Sequence, residues 1–271
     1  VIAMSTFPLA LAPQDFLDLR RAQEHLEHPS FAVRLTNVMG TPMEMALKLL
    51  PRTWWHAMHG TVEKAIGQAL KVAAGSLKGK QGKASNTLHK AMGMATGAVG
   101  GFFGGPALVA ELPVTTTLML RTIADIARSE GEDLASLETR LACLEVFALG
   151  GRSNQDDAAD IGYYGLRLAL AAPLAGTGNY IAQHGLRGGA GSPLLVDLIV
   201  CLSERFGVVV SQKAAAELVP VVGAFGGAFV NSIFMQHFQD MARAHFTVRR
   251  LERKYCPELV QAEYQRLLPL R

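Results

Sequence analysis

The residues best suited to chemistry in this chain are Glu111, Thr115, Thr116, Thr117, Arg121 and Asp125. Thr117, Arg121 and Asp125 recur at intervals of four, so on a helix they make one stripe of hydroxyl, cation and carboxylate. Glu111 lies just before Pro113, a residue that fits the first turn of a helix, where negative charge is favoured. Two readings follow. The stripe is an N-terminal cap with one ion pair, or it lines a polar pocket for an anionic headgroup or small ligand. Either way, charged groups set among apolar residues need partners.

A second polar group comprises Asn231, Gln236, His237, Asp240 and His245. His237 and His245 share a helical face but lie about 12 Å apart along it, too far to hold one metal ion between them. No metal site is expected. Tyr163, Tyr164 and Arg167 form a third group, in which Tyr164 and Arg167 can share a face. Arg167 then enters an apolar run and needs a partner or a route to water. Trp54, Trp55, His56 and His59 are a core cluster or an interfacial anchor.

Familiar catalytic signatures are missing. The sequence has no GxSxG, Walker loop, Rossmann fingerprint or CxxC pair, and no cofactor is expected. GAVGGFFG, at 97–104, lacks the terminal Gly-Lys-Ser/Thr of a phosphate loop and follows no strand signal. Ser, His and Asp are available for an unrecognised hydrolase, but their spacing identifies no triad.

The positioning elements read as helices. The chain has 271 residues, 49% hydrophobic, with 18% charged against about 25% in an average soluble domain, and a net charge of +3. That charge is too mild to indicate nucleic acid as a partner. Three scattered cysteines form no disulfide framework and suit a reducing cytosol. Period-2 alternation is absent, and Val208 to Val210 is the only tight β-branched run. Helices are expected from Pro13, from Thr41-Pro42 to Pro51, over 53–74, from Pro113 to Arg128, from Leu134 to Leu149, from Asp156 to Ala171, and from Pro193 almost to the end. Gly176 to Ser192 reads as a loop. Residues 1–12 are expected to be a flexible N-terminal segment, and 13–268 one all-α domain.

Two charge-free, glycine-laddered segments stand out, Ala91 to Ala110 and Leu218 to Gln239. GAVGGFFG in the first matches GAFGGAFV in the second at five of eight positions, and DIAR at 125–128 is echoed by DMAR at 240–243. Glycines four apart, as at Gly93, Gly97 and Gly101 or Gly223 and Gly227, leave a groove in which another helix can approach closely. Glycine inside a helix costs roughly 1 kcal/mol relative to alanine, so the rows need a reason. A spanning helix needs about 20 apolar residues, and internal Gly-Pro and polar residues break both segments. The expectation is two pseudo-repeated, glycine-rich helical hairpins of a glycine-zipper kind, buried in a single compact multi-helix bundle.

GFFGGPALVAELPVTTTLMLRTIADIARSEGEDL, the later YYGLR, and PVVGAFGGAFVN with HFQDMARAHFTVRRLERKY resemble the EcsC protein family. The resemblance runs from about Gln14 to Val260. It implies a bacterial, mostly helical protein, cytoplasmic or peripheral on the inner membrane. The family is named after a bacterial protein encoded beside an ABC transporter, but it is wider than that operon. It brings no catalytic residues.

The expected function is therefore a membrane-peripheral or lipid-associated accessory protein. Its ligand contacts would come from Glu111, Thr115, Thr116, Arg121, Asp125, Tyr164, Arg167, Asn231, His237 and Asp240, lining a pocket between the glycine-rich helices. The alternatives are a hydrolase-type enzyme acting on a lipid or envelope-related substrate, and a structural partner of a transporter or other membrane protein. Contact with an anionic membrane surface would begin at the basic stretches Lys78–Lys90 and Arg243–Lys254.

Overall fold

The computed structural model describes residues 10–28, 31–75, 105–151, 162–185, 192–219 and 226–268. They form ten α-helices: α1 (Pro13–Glu27), α2 (Phe31–Met39), α3 (Met43–Leu47), α4 (Arg52–Gly75), α5 (Gly105–Ser129), α6 (Leu137–Leu149), α7 (Tyr163–His184), α8 (Pro193–Glu217), α9 (Gly226–Lys254) and α10 (Pro257–Leu267). No strand occurs among the described residues, so the all-α expectation holds, and Val208 to Val210 lie within α8.

Helix α6 is the axis of the bundle. Every residue from Thr139 to Leu149 is buried, and α4, α5, α7, α8 and α9 pack around it. A helix buried all round belongs at a centre, and its polar residues there, Arg140 and Glu145, must find their neighbours inside the bundle. The other helices face inward with one stripe each, as α1 does with Leu19, Ala22 and Leu26. One continuous core draws on all ten helices. At its middle Phe147, Phe206, Phe234 and Phe238 meet edge-on or tilted, with centroids 5.0–6.1 Å apart.

Three expectations about element ends change. Pro113 does not open a helix; it lies inside α5, which already starts at Gly105. Residues 176–184, expected as loop, continue α7 through Pro173 to His184, and the helix stops at Gly185, whose φ of 64° is the left-handed conformation glycine tolerates. Gly176 and Gly178 serve contact rather than turning. A Cβ on them would come within 3.3 Å of Leu194 and 3.4 Å of Leu141, on α8 and α6. Third, residues 226–239 of the second glycine-rich segment are the first half of α9 and no hairpin in themselves; 220–225 lie outside the described residues.

Residues 91–104 of the first glycine-rich segment also lie outside the described residues, as do 76–90 with their lysines, 152–161 and 186–191. The DIAR and DMAR echoes fall on α5 and α9, which pack together, and each closes the same i,i+3 pair: Arg128–Asp125 at 2.8 Å and Arg243–Asp240 at 3.3 Å. No helix among the described residues is long and apolar enough to cross a membrane.

The end of α6 explains Gly150-Gly151. Gly150 has an ordinary φ of −70°, so conformational freedom is not its purpose. A Cβ there would meet the Phe238 ring at 2.5 Å, and one on Gly151 would meet the Arg205 carbonyl oxygen at 2.1 Å. Backbone lies against backbone with no room between. Gly151→Ala should therefore lower the free energy of unfolding by about 3 kcal/mol or more. Gly67→Ala, whose Cβ would rest 3.6 Å from Ile199 in ordinary contact, should be neutral or stabilising by up to about 1 kcal/mol. Urea denaturation of the two variants checks both signs.

Candidate functional site

The ten residues singled out by sequence divide among separate places. Glu111, on α5, accepts a hydrogen bond from the Thr115 hydroxyl at 3.2 Å and another from Lys213 Nζ at 3.2 Å. Lys213 is fully buried on α8; it also reaches Glu217 at 3.5 Å and lies 5.3 Å from the centre of the Phe234 ring. Burial pushes the Glu217 carboxyl above its usual range, against the pull of Lys213. The Thr116 hydroxyl turns back to the Leu112 carbonyl of its own helix. Arg121 is exposed, and Asp125 pairs with Arg128 rather than with Arg121. The expected stripe is thus a buried Glu111–Lys213–Glu217 group plus surface charges. Lys213 and Glu217 escaped notice, although a lone lysine in VVVSQKAAA was the available signal.

Tyr164 and Arg167 do come together, on α7, around a partner not foreseen. Arg167 grips Glu252 of α9 with two hydrogen bonds, 2.7 and 3.1 Å, and the Tyr164 hydroxyl donates to the same carboxylate at 3.1 Å. Beneath them the Tyr163 hydroxyl meets His245 Nδ1 at 3.0 Å, and His245 Nε2 lies 3.8 Å from Glu145. Hydroxyl, imidazole and carboxylate are the residue types of a general-base relay, but Nε2 makes no hydrogen bond to Glu145, so the second link of such a relay is not made. All three residues are also buried, and none of them lines the groove between α4, α5 and α8. Burial holds His245 neutral and lifts the Tyr163 hydroxyl well above its ordinary value; it also pushes Glu145 up to about 7. The group ties α6, α7 and α9 together.

The remaining three lie on α9. Asn231 is fully buried. His237 Nε2–H donates to the Gly150 carbonyl at 2.8 Å, and burial brings its pKa down to about 4. Asp240 accepts from Arg34 of α2 at 2.9 Å and from Arg243. The basic run expected to meet a membrane is occupied internally. Arg249 and Arg253 bind Glu132; Arg250 binds Asp15, Asp18 and Glu130; Lys254 binds Asp15. Trp54 is half-buried against the core, while the side chains of Trp55 and His56 lie outside what is described. No group of His, Cys, Asp and Glu among the described residues could hold a metal ion.

The open space is in another place. A groove of about 630 Å³ runs between α4, α5 and α8, lined by Lys64, Gly67, Gln68, Leu70, Lys71, Pro113, Leu195 and Ile199. None of the ten residues lines it.

A model described as the EcsC protein family matches residues 14–251. No curated protein and no solved structure matches the chain.

The buried group makes a definite pH signature. Glu145 has its folded pKa raised from 4.5 to about 7 by burial, so its contribution to stability is complete below about pH 4.5 and is lost as pH rises through 7. His237 acts in the opposite sense: its contribution is complete above about pH 6.5 and is lost as pH falls through 4. Glu145→Gln should remove the first term. Its stability relative to wild type should rise by on the order of 3 kcal/mol between pH 4.5 and 8. Chemical denaturation across that range tests this; a pH-independent difference would refute it.

Proposed function

This chain belongs to the EcsC protein family, and we propose that it acts as a membrane-peripheral, lipid-associated accessory protein. One observation carries this reading, the outer face of α7. From Leu168 to Gln183 that helix holds no charged residue; its exposed side presents Leu168, Ala169, Ala171, Ala172, Ala175 and Ala182, with Asn179 and Gln183 as the polar members toward its end. Leu168 is 76% exposed. The face continues onto the first turn of α8 at Leu194, which is 42% exposed and packs beside Gly176. A helix on a water-facing surface ordinarily turns charge outward, and an uncharged apolar face marks an interaction surface. No described helix is built to span a bilayer, which favours resting on the surface over crossing it.

Binding is supported over catalysis because the hydroxyl–imidazole–carboxylate group is closed off. The ten polar residues then act mainly as internal ties that hold α7 and α8 in place. The same face would also serve contact with a membrane protein, the transporter-partner reading, and protein-free vesicles separate the two. Wild-type protein should float with vesicles in a density gradient. Leu168→Glu combined with Ala172→Glu, one turn further along the same exposed side, should reduce the bound fraction about tenfold or more while leaving the melting temperature unchanged, since burying one large aliphatic side chain is worth about 1.5–3 kcal/mol. Failure of wild type to float with either anionic or neutral vesicles rejects membrane-surface binding.

A further inference from the structure

We propose that the groove between α4, α5 and α8 is a binding site for a single-chain fatty-acid anion, its carboxylate held by Lys64 and Lys71 and its chain lying against Leu70, Pro113, Leu195 and Ile199. The proposal rests on the lipid-associated reading for the class of ligand only, and not on contact between α7 and a membrane.

The groove's volume, about 630 Å³, falls in the range of small-molecule sites, roughly 300–1,000 Å³. Its walls are hydrocarbon. Leu70 and Leu195 belong to the core, and Pro113 adds a ring and no backbone donor. Gly67 keeps the floor open: a Cβ there would only touch Ile199, at 3.6 Å, but a longer side chain would occupy the groove itself. An apolar trough of this kind accepts an acyl chain, and its polar groups fix which end goes where.

Those polar groups are cationic. Lys64 and Lys71 lie two turns apart on α4, about 10 Å along its axis, and both line the groove. Both are exposed, and among the described residues neither ammonium has an acidic partner. Cations packed against other helices, such as Arg167, Lys213 and Arg249, have carboxylates, whereas Lys64 and Lys71, like Arg121 at the surface, keep their charge available. Leu195 lies in the first turn of α8, whose N-terminal end adds positive partial charge on that side. The groove offers two point-charge ammonium groups and no guanidinium fork, so it holds an anionic head by charge rather than by bidentate geometry, and a carboxylate is the smallest such head on a single acyl chain.

The test uses delipidated full-length chain, titrated calorimetrically below the micellar range with oleate, oleyl alcohol and lysophosphatidic acid, and examined by native mass spectrometry for stoichiometry. Oleate should bind one to one, and oleyl alcohol about tenfold more weakly or not at all, a difference of about 1.4 kcal/mol. Lys64→Ala with Lys71→Ala should weaken oleate by about tenfold or more at unchanged melting temperature. Gly67→Leu should weaken oleate and oleyl alcohol together. No oleate binding by wild type, or undiminished binding by both variants, overturns the site; tighter binding of lysophosphatidic acid than of oleate overturns the carboxylate assignment. The double lysine variant should still float with vesicles, and the Leu168→Glu, Ala172→Glu protein should still bind oleate. Failure of one reading is thus distinguishable from failure of the other.

Discussion

A helix that ends inside a bundle leaves backbone donors or acceptors that water cannot reach, and the arrangement of this fold follows from how three such ends are satisfied. At the end of α4 the carbonyls of Ala73 and Ala74 accept hydrogen bonds from the Arg140 guanidinium, at 3.0 and 2.6 Å. At the start of α7 the Tyr163 amide donates to the Glu27 carboxylate of α1 at 3.1 Å, and Tyr264 of α10 donates to the same carboxylate. At the end of α6 the Gly150 carbonyl takes the His237 ring N–H. In the first two, the sign of the charge also suits the helix dipole, positive at a C-terminus and negative at an N-terminus. Each tie joins helices that are not neighbours in sequence: α4 with α6, α1 with α7, α6 with α9. The close approach at Gly150-Gly151 is the steric counterpart of the third tie. Gly162 is that of the second, since a Cβ there would lie 3.2 Å from the Glu27 carboxylate.

The same economy governs the charges. Most cations on the late helices serve the interior of the molecule or its helix-to-helix seams. Asp15 shows this well: Lys254 and Tyr255 hydrogen-bond its carboxylate and, with Arg250 nearby, hold it below its ordinary value despite burial. Glu132 likewise stays low, because Arg249, Arg253 and Thr139 outweigh its desolvation. What faces outward is therefore not the polar chemistry that drew attention in the sequence. It is an uncharged helix side and an apolar trough with two lysines at its edge.

Helical class, the core stripes and one limit each of α1, α6 and α8 were legible from sequence, because local periodicity and Pro13, Gly150 and Pro193 carry them. The extent of α7 was not. Gly176 and Gly178 read as breakers, and only the positions of Leu194 and Leu141 reveal them as contact points. Polar partners were the least legible. Arg167 visibly needed a counter-charge, but Glu252 lies on a helix far along the chain, and no local spacing encodes that meeting. Arg121 and Asp125 illustrate the converse. Four-residue spacing placed them together correctly as neighbours, yet the choice between them went to Arg128, one turn further along and on the same side. The groove was invisible because its lining comes from three helices, none with an unusual composition.

The union of α1 with α9 and α10 has a consequence for how the protein is made. Asp15 meets Lys254 and Tyr255, and Glu27 meets Tyr264, so α1 completes its contacts only once α9 and α10, far along the chain, have been made. At bacterial elongation speeds the interval is roughly ten seconds to most of a minute. During that wait the apolar stripe of α1 has no permanent seat, and α6 lacks α9 on one side. Nascent chains of this protein should therefore be clients of ribosome-associated holding factors. Premature termination anywhere before α9 would yield a sticky, incomplete fragment rather than a smaller folded one.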